Sequence, residues 1–131
     1  LQNKKTEAAV VNSILFIDET NFVTGDSRGF VTLHNLSSKN PVLKRKISSR
    51  QINTVKYDKK GHSFWCAGYG GFFMAVDSDS LTPMFEMKNF QAEINASAFL
   101  PEQDIILLAS TSGKIYIFDT KIKSLIEIIF T

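Results

Sequence analysis

The chain has 131 residues, 44% of them apolar and 21% charged, which is the size and balance of one globular domain and not of a disordered or fibrous segment. Its 15 basic and 13 acidic residues are evenly mixed and leave a net charge of +2, which argues against nucleic acid or an anionic membrane surface as the main partner. Cys66 is alone, so no internal disulfide can form, and the longest purely apolar run, Ile105 to Ala109, is far too short for a membrane span.

Residues 1–10, LQNKKTEAAV, lack the apolar core of a secretory signal and read as a lead-in segment or the end of a preceding unit. A first residue of Leu in place of Met suggests that something stands upstream. With the lone cysteine, this points to an intracellular protein, cytoplasmic or nuclear. The spacing of apolar runs and turn residues then predicts short strands throughout. The first group is Val11–Ile17, a turn at DET, Phe22–Asp26, a turn at SRG, Phe30–Leu36, the loop SSKNP and Leu43–Ile47. The second is Ile52–Tyr57, the turn DKKGH, Ser63–Gly68, Phe72–Asp77, the loop SDSLTP and Met84–Lys88. The third is Ile94–Leu100, the turn PEQD, Ile105–Ser110, Lys114–Asp119 and Leu125–Phe130.

These groups are one phrase written three times. Gly29, Gly71 and Gly113 stand 42 residues apart, and Asn35, Asp77 and Asp119 keep the same 42-residue step. VNSILF from Val11, INTVKY from Ile52 and INASAF from Ile94 recur at steps of 41 and 42. The glycine before each third strand suits a hairpin turn that needs positive φ. The acid or amide that ends the strand can accept bonds from loop N–H groups. FWCA and IILLA are apolar on both faces, as in a sheet covered on both sides. The expected fold is therefore all-β: three four-stranded antiparallel sheets with a repeat of about 42 residues, stacked as β-propeller blades. The first blade spans residues 11–51, the second 52–93 and the third 94–131.

In period, strand pattern and glycine-to-acid spacing, residues 11–130 resemble the WD-repeat β-propeller family. The Trp-Asp signature position reads His34-Asn35, Val76-Asp77 and Phe118-Asp119, and the Gly-His upstream of the first strand is absent from SSRQ and NFQAE. The Asp before the turn glycine is replaced by Arg28, Gly70 and Ser112, so the family's Asp–His–Ser/Thr–Trp relay does not carry over. Propellers close with about four to eight blades. Three make an incomplete ring whose end faces would leave residues such as Phe22, Phe64, Trp65, Phe72, Phe73, Leu107 and Tyr116 short of neighbours, so unseen blades or other protein subunits are expected to complete it.

In that family ligands often meet the face where the first strand begins and the second-to-third turn lies. The resemblance implies a protein-binding face at Asn12 and Ser27, at Gln51, Asn53 and Tyr69, and at Glu93, Asn95 and Thr111. Asparagines at one repeat position can form an arc of donors and acceptors, and tyrosine is favoured at interfaces. Against this stands the commoner use of Asn at the start of a strand, bonding its own backbone in a bulge or turn.

Elsewhere the bland reading is the stronger. Lys44, Arg45 and Lys46 lie on an outer strand, where cations discourage edge-to-edge pairing, more often than they bind phosphate. His34 and His62 with Cys66 do not supply the clustered ligands of a zinc site, so no metal or cofactor is expected. No nucleophile elbow, phosphate loop or paired His-Glu spacing occurs, and GYGG at Gly68–Gly71 joins two strands and opens no helix. NLS at Asn35 and NAS at Asn95 are chance sequons in a chain with no secretory signal. Trp65 and Cys66 read as packing between blades.

The function these readings favour is a non-catalytic protein–protein interaction scaffold within a larger complex, with no small-molecule substrate. The alternative is a reader of peptides or modified peptides at the Asn and Tyr69 face. A minor one is RNA contact through Lys44–Lys46 and Arg50.

Overall fold

The structure, a computed structural model, describes residues 8–87 and 90–131. Most of the expected lead-in, and Lys88 at the end of an expected strand, lie outside the described residues. Twelve strands form three sheets in chain order. The first holds β1 (Val11–Phe16), β2 (Asn21–Asp26), β3 (Phe30–Asn35) and β4 (Leu43–Lys46). The second holds β5 (Ile52–Asp58), β6 (Ser63–Gly68), β7 (Phe73–Asp77) and β8 (Pro83–Met87), and the third β9 (Ile94–Leu100), β10 (Ile105–Ser110), β11 (Lys114–Asp119) and β12 (Ser124–Phe130). Neighbouring strands are antiparallel in every sheet, and each expected strand is found within one residue of its expected ends.

The repeated punctuation has a repeated physical job. Gly29, Gly71 and Gly113 all have φ between +76° and +87°, the left-handed conformation that side chains resist. At the far end of each third strand, the Asn35 side chain accepts from the Ser37 N–H at 2.9 Å. Asp77 accepts from the N–H groups of Asp79 and Ser80, and Asp119 from those of Lys121 and Ile122, at 2.8–2.9 Å. Each of these side chains holds the next loop in a tight turn.

The core lies between the sheets. Val23 and Val31 of the first sheet bury against Val55, Phe64, Cys66, Met74 and Val76 of the second. The opposite face of the second sheet, with Trp65, Ala67, Phe73 and Ala75, packs on Ile106, Leu108, Tyr116 and Phe118 of the third. Every residue of β6 is buried, as its unalternating sequence requires. The third sheet differs: Leu107, in the equally apolar β10, is 37% exposed, because no sheet among the described residues covers the outward face. On the outward face of the first sheet, Ile14 and Phe16 are 65% and 64% exposed. Of the side chains expected to be short of neighbours, Phe64, Trp65, Phe72, Phe73 and Tyr116 are buried between sheets, whereas Phe22 is half-buried.

Candidate functional site

The eight residues of the expected interaction face lie at one end of the three sheets, in three equivalent groups. In each group a turn residue bonds to the residue just ahead of the first strand. The backbone N–H of Ser27 donates to the Val10 carbonyl, that of Tyr69 to Gln51 and that of Thr111 to Glu93, each at 2.9 Å. Ser27 also accepts from the Val10 N–H through its hydroxyl at 2.9 Å.

The three asparagines occupy one structural position. Asn12, Asn53 and Asn95 each sit where the first strand slips register against the second, between Val11 and Ser13, between Ile52 and Thr54, and beside the shift at Ala109 and Ser110. Such a bulge turns the extra side chain out of the ordinary alternation. Asn12 Nδ2 donates to the Ile52 carbonyl of the second sheet at 2.9 Å. Asn53 Nδ2 donates to the Ile94 carbonyl of the third sheet at 2.8 Å and to Glu93 Oε2 at 3.0 Å. Gln51 Nε2 in turn donates to Asn53 Oδ1 at 2.9 Å, so Gln51, Asn53 and Glu93 form a chain across two sheets. The bulge is the one sequence reasoning names, but the amide reaches the neighbouring sheet and not its own turn.

Hydroxyls one residue further along do the same. Ser13 Oγ accepts from the Val55 N–H at 3.0 Å, and the Thr54 and Ser97 hydroxyls are 2.6 Å apart. Sequence reasoning misses these links, although a hydroxyl follows both Asn12 and Asn53 and is readable as part of the repeat. Hydrogen bonds of this kind do more to set the register between sheets than to add stability, since each nets only about 1 kcal/mol.

That leaves Tyr69, Asn95 and Thr111 as the exposed members of the face with no side-chain hydrogen bond among the described residues. Tyr69, 51% exposed, stands on a single 3-10 turn, Tyr69–Gly71, where Gly70 has φ +75°. A side chain at Gly70 would strike the Arg50 side chain, whose Cδ would be 2.6 Å away, so Arg50 lies across this turn at Gly70. An exposed aromatic ring on a tight turn is chemistry suited to gripping another protein.

Lys44, His34 and Cys66, which stand out in the sequence, each meet structural neighbours. Lys44, Arg45 and Lys46 lie on the edge strand β4, with Lys44 Nζ 4.9 Å from the centre of the Phe30 ring. His34 stacks on Phe22 at 4.6 Å and shares a 3.1 Å hydrogen bond with Thr24 through Nε2. Burial first, and the nearby Lys44 charge second, lower its pKa. Cys66 is fully buried, which pushes its thiol up to about 12 and keeps it from acting as a thiolate. Among the described residues no group of three His, Cys, Asp or Glu side chains could hold a metal ion, and no helix is long and apolar enough to cross a membrane.

Three side-by-side four-stranded sheets, joined fourth strand to first strand, define this class: the chain carries the fold of a WD-repeat β-propeller portion, an arc of three blades. The WD40 repeats of RRP9 superpose on 97% of the chain with a TM-score of 0.86 at 8% identity, using 40% of the RRP9 chain. The structure of U3-55K superposes on 97% with a TM-score of 0.85, again at 8% identity and over 41% of that chain. Among curated proteins, the WD repeat-containing protein 55 homologs of Drosophila persimilis and Drosophila pseudoobscura pseudoobscura are 21% identical over 109 residues, 83% of this chain. The aligned region is 22% of those relatives' length, so the chain spans about a fifth of the proteins it matches. No family model matches the chain.

Proposed function

We propose that this chain is a non-catalytic interaction scaffold, an intracellular propeller portion that serves as a subunit of a larger multi-protein assembly. The observation that carries this is the contrast between its interfaces. The two inner ones bury continuous apolar clusters, while both outward sheet faces present exposed apolar side chains, Ile14 and Phe16 on one and Leu107 and Ile129 on the other. A soluble protein rarely leaves such patches bare. The likeness to WD-repeat proteins agrees with that role. Purification of the native polypeptide with its partners, followed by mass measurement of the intact particle, tests the proposal. A defined assembly with other polypeptides is the expected result; a lone, stable monomer would overturn it.

A second reading, a peptide reader at the face, is favoured by Tyr69 standing 51% exposed on the Tyr69–Gly71 turn. It predicts that Tyr69→Ala removes one partner and leaves the rest of the assembly intact, and an unchanged partner list would end it. Asn53 is a poorer probe, because its amide joins two sheets.

A further inference from the structure

We propose that the groove between the second and third sheets, at the end opposite the Asn and Tyr69 face, binds a phosphorylated serine or threonine side chain of a partner protein. Lys60, Lys121, Lys123 and the Thr120 hydroxyl hold the phosphate. This rests on the scaffold reading and names the partner chemistry of a surface that reading does not use.

A cavity of about 320 Å³ opens where the turn between β5 and β6 meets the loop between β11 and β12. Lys60, Lys121, Lys123, Asp58, Asp104 and Thr120 line it. Thr120 is the residue that points to a ligand. It is only 3% exposed, and its backbone N–H donates to the Asp104 carbonyl at 2.8 Å, yet its hydroxyl is buried with no hydrogen-bond partner. Native proteins seldom leave a buried hydroxyl so, and at the wall of a cavity a group from outside the chain can complete it.

The charge at the cavity favours an anion. Its two aspartates are already engaged: Asp58 accepts from the Gly61 N–H at 3.0 Å, and Asp104 Oδ1 stands 3.4 Å from Lys60 Nζ. Lys121 and Lys123 are exposed and have no acidic partner among the described residues. The pair between Lys60 and Asp104 is itself exposed on the lysine side, and such pairs hold weakly in water, so Lys60 can turn to a phosphate. Phosphothreonine brings a charge of about −1.5 to −2 and three acceptor oxygens, enough for the lysines and the Thr120 hydroxyl together.

The repeat shows that this basic field is local. Asp79 and Leu81 stand 42 residues before Lys121 and Lys123. Leu81 and Lys123 share a left-handed φ, 63° and 58°, so the loop keeps its path, but the leucine is buried and the lysine exposed. The matching groove between the first and second sheets, about 390 Å³, is lined by Asp18 and Asp79 and by no lysine or arginine among the described residues. A nucleic acid backbone or an anionic membrane would lay negative charge across both grooves and be repelled at the acidic one. A single phosphate with a cation beside it meets both. Packed sheets lie about 10 Å apart and an extended chain advances about 3.3 Å per residue, so the fitting segment carries Lys or Arg about three residues from its phosphorylated side chain.

The test takes the complete native polypeptide and follows, by fluorescence anisotropy, a labelled peptide with a central phosphothreonine and an arginine three residues to either side. The expected result is saturable binding at least about tenfold tighter than that of the same peptide with plain threonine. Lys121→Glu combined with Lys123→Glu, both on the surface, should weaken it at least about tenfold. Thr120→Val, which exchanges only the unpartnered hydroxyl for a methyl group, should weaken it about tenfold, the size of one hydrogen bond to a charged group. Asp79→Lys should weaken this peptide but not a phosphothreonine peptide with alanines for the arginines. Equal binding of the two threonine forms, or binding that the lysine double variant leaves unchanged, would overturn the proposal. So would a single-stranded oligouridylate that binds more tightly than the phosphopeptide and is lost in the same variant, which would give the groove to nucleic acid. Unchanged affinity in Thr120→Val overturns the role of its hydroxyl, and in Asp79→Lys that of the flanking cation. A polypeptide that purifies with other subunits yet binds no phosphopeptide sinks this proposal and spares the scaffold reading; a lone monomer that binds the phosphopeptide does the reverse.

Discussion

Trp65 fills the middle of the second interface, its ring 5.2 Å from Phe73, 5.8 Å from Phe85 and 5.7 Å from Phe118, yet its Nε1–H is buried without an acceptor. A buried donor left unpaired costs about 1–3 kcal/mol, which offsets part of what the ring contributes. Trp65→Phe is therefore expected to stay within about 1 kcal/mol of the parent, while Trp65→Ala loses about 3–5 kcal/mol to the cavity. Because Trp65 is the sole tryptophan, guanidinium unfolding followed by circular dichroism is the suitable measurement. Three groups with lowered pKa values respond to acid: Asp18, Asp77 and His34. Asp18 accepts from the Asn21 side chain and from the N–H groups of Thr20 and Asn21, which lower its pKa from 3.8 to about 2. Its folded pKa lies below the unfolded one, so its contribution is present above pH 3.8 and is lost as pH falls towards 2. His34 is also depressed, from 6.5, and favours the neutral ring; stability that is full above pH 6.5 declines as the pH drops and the unfolded chain takes up the proton first. Thermal melts across pH should lose the upper slope in His34→Leu and show a shallower lower one in Asp18→Asn, where Asp77, lowered by the Ser80 and Asp79 N–H groups, contributes as well. Unchanged slopes would contradict these assignments.

At the scale of the element, the three turn glycines share a conformation but not a cost. A side chain on Gly29, at φ +87°, would stand 1.9 Å from the Ser48 carbonyl oxygen, so the connection to the next sheet must move. A side chain on Gly113, at φ +81°, meets nothing closer than the Thr131 hydroxyl at 3.5 Å. Gly113→Ala should cost only the left-handed penalty, about 1–2 kcal/mol, and Gly29→Ala clearly more. Equal losses in urea titrations would refute the distinction. The glycine-to-acid phrase was legible in the sequence because local turn chemistry dictates it. The destination of the asparagine amides was not. A bulge at the start of a strand is a local feature, but which sheet lies within hydrogen-bonding reach of it depends on how the sheets are packed.

For the whole molecule, burial is graded from the centre outward. The second sheet is covered on both faces, whereas the edge strands β4 and β12 carry mostly exposed side chains. Hydrogen exchange should accordingly be slowest at the amides of β6 and fastest at β4 and β12, because local opening costs least where few apolar contacts are lost. Uniform exchange over the three sheets would contradict a stack held by its middle member. The sequence by itself determined the strands, their grouping into three sets of four, the turns and the all-β class, since all of these follow from short-range chemistry repeated at a fixed step. Only the tertiary structure decided which apolar residues are satisfied and which are not. Leu107 and Trp65 occupy the same repeat position and are both apolar, but one meets solvent and the other a neighbouring sheet. Contact across the stack is a property of neighbours, and no residue carries the identity of its neighbour in its own side chain.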